Sequence, residues 1–190
     1  MKIRWIHISD IHYHFNNYDS EMLREDLLKR ISTHREMEPI THIFCSGDLT
    51  DKNGHISNDL YKYMESIASS AMVPKKNFII VPGNHDHDRS VIQEILTNTY
   101  SCKDKSSIDE NIRMLKPDQV RILLESFKSF NSFYSSFIGI PYYDNYENPH
   151  ASISDSLNNC NILKSNTAWL DCNSESGDMY CGINKLHDVL

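Results

Sequence analysis

Residues 43–51 read IFCSGDLTD, an apolar run that ends before a glycine and then turns polar. A short apolar run bounded in this way is typical of a buried strand followed by a loop. Two other segments have the same form: residues 3–12 read IRWIHISDIH, and residues 78–86 read FIIVPGNHD. In an open α/β sheet, ligands bind outside the carboxyl ends of the strands. The three segments therefore predict one polar site at one edge of a sheet.

Helical periodicity separates the three apolar runs. Apolar side chains recur near helical spacing in residues 19–36 and again in residues 57–72. The resulting order of strand, helix, strand, helix and strand predicts an α/β fold. Its sheet is expected to be mainly parallel, with helices on both faces. A length of 190 residues fits a single domain with a real core.

The middle of the chain has helical segments and few strand signals, and we predict a helical insertion at about residues 101–150. Pro117 is expected to begin one long helix that reaches Phe137 with an apolar stripe along one side. Two interpretations of this stripe stay open. It packs on the main core, or it forms a cap over the active site that shapes substrate choice. Strand character returns at residues 152–154 and 161–165.

Composition excludes several classes of protein. The formal net charge is −7, which argues against a broad nucleic-acid-binding surface without excluding a nuclease. The five cysteines include no Cys-x-x-Cys pair, so a zinc ribbon or a redox motif is not expected. No apolar run is long enough to cross a bilayer, and the first residues lack the pattern of a signal peptide. We therefore expect a cytoplasmic protein with no membrane partner.

Candidate metal ligands lie in the first two polar clusters. Asp10 and His12 are two residues apart, so in an extended backbone both side chains point to the same side and can hold one cation. The alternative is a hydrogen-bonded Asp10 beside a surface His12. Asp48 directly follows a predicted strand, and its two oxygens can bridge two metal ions. The alternative there is a loop with a helix N-cap. A mixed oxygen and nitrogen donor set suits a divalent metal.

The third cluster combines a further ligand with a candidate acid. The amide oxygen of Asn84 is an acceptable ligand for a hard metal ion, and its alternative role is a helix or turn N-cap. The neighbouring His85 points elsewhere, so it can stay unligated and act as a proton donor. Asp51 can orient that imidazole, and Asp86 is expected to support the loop by hydrogen bonding.

Together these clusters resemble the motifs of the calcineurin-like metallophosphoesterases, in the right order over about the first ninety residues. The motifs are Asp10-x-His12, Gly47-Asp48-x-x-Asp51 and Gly83-Asn84-His85-Asp86. The resemblance implies a four-layer α/β/β/α sandwich with two divalent metal ions, which are manganese, iron or zinc, with manganese preferred. It implies that a metal-bound hydroxide hydrolyses a phosphodiester or phosphomonoester bond. The implied metal ligands are Asp10, His12, the bridging Asp48 and Asn84. His85 would protonate the leaving alkoxide, with Asp51 as its partner.

The sequence departs from that family in its later part. The family supplies further histidines, one after a later strand and then a Gly-His-x-His motif, and neither is present. His87, His150 and His187 are expected to be surface or packing residues. We therefore expect residues 1–190 to be the N-terminal portion of a metallophosphoesterase domain, weakly active or inactive by itself. The expected partner is a phosphoester substrate, with nucleotides and nucleic acids included. The alternative is a non-catalytic scaffold or interaction module of the same fold. The substrate and the oligomeric state stay open.

Overall fold

The computed structural model describes residues 3–13, 18–51, 54–88, 105–144, 146–155, 160–171 and 185–186. Within them the chain forms five strands, five helices longer than one turn and a short 3-10 helix. The strands are β1 (Trp5–Ile8), β2 (His42–Cys45), β3 (Phe78–Ile80), β4 (His150–Asp155) and β5 (Cys160–Ser165). The helices are α1 (Tyr18–Met37), α2 (Asn58–Ala71), α3 (Lys105–Arg113), α4 (Pro117–Glu125) and α5 (Lys128–Ile138), with the 3-10 helix at Lys75–Asn77.

The first three strands form a parallel sheet in the order β1-β2-β3. Trp5 pairs with His42, and Ile43 pairs with Phe78, so all three carboxyl ends lie at one edge. The predicted α/β fold with a parallel sheet is confirmed. Strands β1 and β2 end at the last apolar residue before their polar loops, and β3 ends one residue before Val81.

Helix α2 covers one face of this sheet. It begins after Ser57, whose Oγ accepts a hydrogen bond of 3.1 Å from the main-chain N–H of Leu60. It ends at Met72, which adopts a left-handed conformation at φ 51°. The apolar side of α2 joins the same buried cluster as the strand residues Ile43 and Phe78. Helix α1 lies beside α2 and has one fully buried side chain, that of Ile31.

The other face of the sheet looks toward β5. A groove of about 580 Å³ lies between the Trp5 and Phe44 side of the first sheet and residues Ile162 and Leu163 of β5. Strands β4 and β5 form an antiparallel hairpin in which His150 pairs with Ser165. The sequence predicted helices on this face, whereas the described residues show an order of helix, sheet and sheet. That order agrees with the sandwich that the family resemblance implies.

The prediction of one helix from Pro117 to Phe137 is wrong, because the chain bends between α4 and α5. The main-chain oxygen of Ser126 accepts a hydrogen bond of 2.9 Å from the N–H of Asp88. Phe127 donates its own N–H to Leu124, three residues back. This tertiary contact at Ser126 coincides with the break in the helical ladder. The predicted apolar stripe is buried on both helices, as expected if it packs on the core. Its buried members include Val120, Leu123, Leu124, Phe127, Phe130, Phe133, Tyr134 and Phe137.

Three further expectations can be placed against the fold. His87 and His150 are buried, so neither is a surface residue, whereas His187 lies outside the described residues. The description of residues 101–150 as an insertion stays a prediction, and residues 101–104 and 145 lie outside the described part. Among the described residues, no helix is both long and apolar enough to cross a membrane.

Candidate metal centre

Two glycines bring the second and third polar loops into contact. Gly47 lies just after β2 and has a φ of 102°, a backbone conformation that residues other than glycine rarely adopt. A Cβ atom at Gly47 would overlap the main-chain nitrogen of Gly83, and a Cβ atom at Gly83 would overlap Oδ1 of Asp48. The close approach of these loops therefore needs glycine at both positions.

The first and second loops are joined by main-chain hydrogen bonds. The N–H of Asp10 donates to the oxygen of Gly47 at 3.2 Å, and the N–H of His12 donates to the oxygen of Asp48 at 3.0 Å. Tyr13 continues the pairing with a bond of 2.9 Å to Leu49. Sequence-distant loops are thus held side by side beyond the ends of β1 and β2.

This pairing gathers Asp10, His12 and Asp48 into one cluster. One donor atom from each residue lies within 4.8 Å of the donor atoms of the other two. All three residues have positive φ angles, at 55°, 43° and 52° respectively. Such a conformation is uncommon for residues other than glycine and costs about 1–3 kcal/mol each. Three strained residues in one cluster indicate that the fold holds these side chains together at the expense of stability.

The ring of His12 is oriented by Thr50. Nδ1 of His12 lies 3.2 Å from the main-chain oxygen of Thr50, which can only accept a hydrogen bond. The proton is therefore assigned to Nδ1, and Nε2 keeps a lone pair. Nε2 lies 3.8 Å from Oδ1 of Asp10.

These positions fit a metal ion. Two atoms bound to one ion at about 2.1 Å each can be no more than about 4.2 Å apart, and the distance between Asp10 and His12 meets this limit. The donor atom of Asp48 lies within 4.8 Å of the other two donor atoms, so it meets the same limit after a shift of a fraction of an ångström. The donor set of two carboxylates and one imidazole suits manganese, iron or zinc.

The third loop places His85 at the edge of this cluster. Its main-chain N–H donates to Oδ1 of Asp48 at 3.0 Å. Its ring lies edge-on to the ring of His12, with 4.9 Å between the ring centroids. Nδ1 of His85 contacts Asp51 through the main-chain oxygen of that residue. The sequence predicted Asp51 as the partner of His85, and the contact seen here is made by the backbone of Asp51.

Asn84 occupies the same turn, between Gly83 and His85, and its side chain is partly exposed. Its role as a metal ligand stays a prediction. The turn itself is held by Asp86, which is fully buried. Oδ2 of Asp86 accepts a hydrogen bond of 2.9 Å from the N–H of Gly83, and Oδ1 accepts one of 3.0 Å from the N–H of Thr50. Burial raises the pKa of Asp86, and these main-chain donors oppose that rise. Asp86 therefore supports the loop, as the sequence predicted.

Thr50 is the supporting residue that sequence reasoning missed. Its main-chain oxygen orients His12, its N–H binds Asp86, and its hydroxyl donates a bond of 2.7 Å to the main-chain oxygen of His85. The signal in the sequence was its position inside the Gly-Asp-x-x-Asp cluster. Its three contacts lie 35–38 residues away along the chain, so no local pattern pointed to them.

Known sequences that resemble this chain share one description. A family model described as calcineurin-like phosphoesterase matches residues 3–172. The chain is also similar to the uncharacterized metallophosphoesterase-like protein YydB of Bacillus subtilis (strain 168), with 30% identity over 191 residues. That match covers 100% of this chain and 38% of the relative, so the chain spans well under half of the relative's length. No solved structure gives a significant match.

Proposed function

Because this chain belongs to the calcineurin-like phosphoesterase family, we propose that it carries part of the active site of a metal-dependent hydrolase of phosphodiester or phosphomonoester bonds. The observation that carries the proposal is the cluster of Asp10, His12 and Asp48, all three with positive φ angles. Backbone strain concentrated in one cluster of potential ligands is typical of a functional site.

The residues of this chain have different roles in binding the two proposed metal ions. Asp10, His12 and Asp48 would hold the first ion, Asp48 also faces the third loop, and Asn84 would bind a second ion. Bound divalent ions supply charge that polarises phosphate oxygens and lowers the pKa of water. We favour manganese among manganese, iron and zinc.

His85 supplies the proton in this proposal. Its Nδ1 donates to the main-chain oxygen of Asp51, so the imidazolium form of His85 carries a second proton on Nε2, and this is the proton that it can give. When hydroxide bonds to phosphorus and the bond from phosphorus to the leaving oxygen breaks, Nε2 transfers its proton to the leaving oxygen. The contact with the ring of His12 supports this role, because it places the imidazole beside the proposed ligands.

Manganese binding tests the metal centre directly. We expect the chain to bind Mn²⁺ in a calorimetric titration and Asp48→Asn to weaken that binding at least tenfold. Asp59→Asn is the matched control, because Asp59 is an exposed carboxylate on α2 that pairs with Lys62. Equal affinity in Asp48→Asn and the unchanged chain would contradict the proposal.

Turnover separates the enzyme from a non-catalytic module of the same fold. Hydrolysis of bis(p-nitrophenyl) phosphate is measured with Mn²⁺, for this chain and for a longer form that spans the full length of its relative. We expect His85→Ala to lower the rate by about 10²–10⁴-fold wherever turnover is seen. Metal binding without turnover in either form would favour the scaffold or interaction module.

A further inference from the structure

His87 is buried directly beneath the turn that carries His85. Its side chain is 0% exposed and stacks on the ring of Phe127, with 4.9 Å between centroids and 23° between planes. Its Nε2 lies 3.5 Å from Oδ2 of Asp171. Three distant parts of the chain therefore meet at this imidazole: the third loop, the bend between α4 and α5, and the segment after β5.

Packing alone does not account for a histidine at this position. Within the described part of the chain, neither ring nitrogen of His87 has a hydrogen-bond partner. A buried polar atom without a partner costs about 1–3 kcal/mol, so an apolar side chain of similar size would be more stable against Phe127. The separation from Asp171 is too long for a good hydrogen bond, but it is short enough for an electrostatic attraction.

Hydrogen bonds hold the main chain on both sides of His87. The oxygen of His85 accepts hydrogen bonds from the N–H of Gly54 at 3.0 Å and from the hydroxyl of Thr50 at 2.7 Å. On the far side, the N–H of Asp88 donates to Ser126 at 2.9 Å. Gly54 approaches so closely that a Cβ atom there would lie 2.9 Å from Cα of His87. A shift of the main chain at His87 would therefore disturb the contacts that hold the main chain of His85.

The segment that holds Asp171 is itself firmly seated. Ala168, Trp169 and Leu170 are almost fully buried. The N–H of Asp171 donates to the oxygen of Ala168 at 2.9 Å, and the N–H of Ala168 donates to Oδ1 of Asn166 at 2.8 Å. The carboxylate of Asp171 is thus presented to His87 from a rigid turn.

We propose that His87 is a positioning residue, which Phe127 and Asp171 hold so that the 85–88 segment presents the imidazole of His85 beside His12. In this arrangement the bend between α4 and α5 supports the proposed acid from below. The link to catalysis rests on the proposed function of His85. The structural coupling of His87 to His85 does not depend on that function.

Nuclear magnetic resonance of ¹⁵N-labelled histidines tests this coupling in the metal-free chain. The ring signals of His85 are assigned by their loss in His85→Gln. We expect His87→Phe, which keeps the stack on Phe127 but loses the nitrogen facing Asp171, to shift or broaden the His85 signals. His87→Gln keeps an N–H group near the position of Nε2 but loses the stack on Phe127, and we expect it to change the His85 signals less than His87→Phe does. His34→Phe, at an exposed position on α1, is the matched control.

The outcomes separate positioning from packing. A folded His87→Phe variant with unchanged His85 signals would overturn the proposal, and so would equal changes in His87→Phe and His87→Gln. If His87→Phe does not fold, Asp171→Asn takes its place, and unchanged His85 signals in that folded variant refute the coupling. The resonance experiment uses the metal-free chain, so its result does not depend on Mn²⁺ binding. A chain that fails to bind Mn²⁺ would contradict the proposed function but would still test the coupling of His87 to His85. In a form that turns over substrate, His87→Phe should lower kcat by up to about 10²-fold with KM unchanged.

Discussion

Replacing the buried Lys164 should stabilise the protein at neutral pH. Lys164 lies on β5 with 3% of its surface exposed, and its Nζ donates to the hydroxyl of Tyr134 at 3.2 Å. Nζ also lies 4.8 Å from the ring centroid of Tyr134 and 4.3 Å from that of Tyr142. Burial lowers the pKa of Lys164 from 10.5 to about 8, and Asp144 opposes this shift only in part. The folded protein therefore holds this proton less tightly than the unfolded chain does.

The magnitude follows from the difference between the two pKa values. At about 1.4 kcal/mol for each pKa unit, holding the charged form of Lys164 costs the folded state about 3 kcal/mol at pH 7. Lys164→Met removes that cost and also removes the attraction to the two rings, which contributes about 0.5–2 kcal/mol. We expect the variant to gain about 1–3 kcal/mol in the free energy of unfolding at pH 7.

The pH dependence has a definite sign. Between about pH 8 and pH 10.5 the unfolded chain binds more protons at this lysine, so the contribution of Lys164 to stability rises with pH. Buried thiol and phenol groups work in the opposite direction at high pH, and Cys45 and Tyr134 are two of them. Burial raises the pKa of Cys45 to about 12 and that of Tyr134 to about 12, so each stabilises the fold less as the unfolded group ionises. The difference between Lys164→Met and the unchanged chain cancels the contribution of Cys45, because the causes that raise the pKa of Cys45 do not include Lys164.

Urea unfolding followed by circular dichroism at pH 7, 8, 9 and 10 measures this difference. We expect the advantage of Lys164→Met to shrink by about 1.4 kcal/mol for each pH unit above pH 8. Lys62→Met is the control, since Lys62 is exposed on α2 and its replacement should change stability little at any of these pH values. A pH-independent difference between Lys164→Met and the unchanged chain would refute the reasoning.

Three further predictions concern the site and its support. Gly83→Ala should abolish Mn²⁺ binding because the new Cβ overlaps Asp48. Gly139→Ala should keep the affinity for Mn²⁺, because no atom lies within 4 Å of the new Cβ at that position. An equal loss of affinity in both variants would contradict this prediction. Asp51→Asn should retain the Mn²⁺ content measured by elemental analysis, because the contact with His85 comes from the main chain of Asp51. A loss of Mn²⁺ as large as that in Asp48→Asn would show that the carboxylate of Asp51 binds metal. Ser57→Ala should lower the free energy of unfolding by about 1 kcal/mol through loss of the N-cap bond, and an unchanged midpoint in urea would show that water replaces it.

Local patterns predicted most of the secondary structure. Helix α2 was expected at residues 57–72 and occurs at Asn58–Ala71, because its cap and its apolar periodicity both lie within the segment. The bend at Ser126 could not be predicted in the same way. It coincides with a hydrogen bond from Asp88, and nothing near Ser126 in sequence indicates that donor.

The amino-acid order alone indicated the chemistry and its location. Apolar runs that end at Asp10, Asp48 and Gly83 placed ligand-type residues after successive strands, and strand direction then required that they share an edge. The folded chain established which atoms meet. It showed that Asp51 reaches His85 through its backbone, that Thr50 orients His12, and that His87 lies beneath the loop. These contacts join atoms more than thirty residues apart, so they depend on how loops approach one another in space and leave no short-range pattern to find.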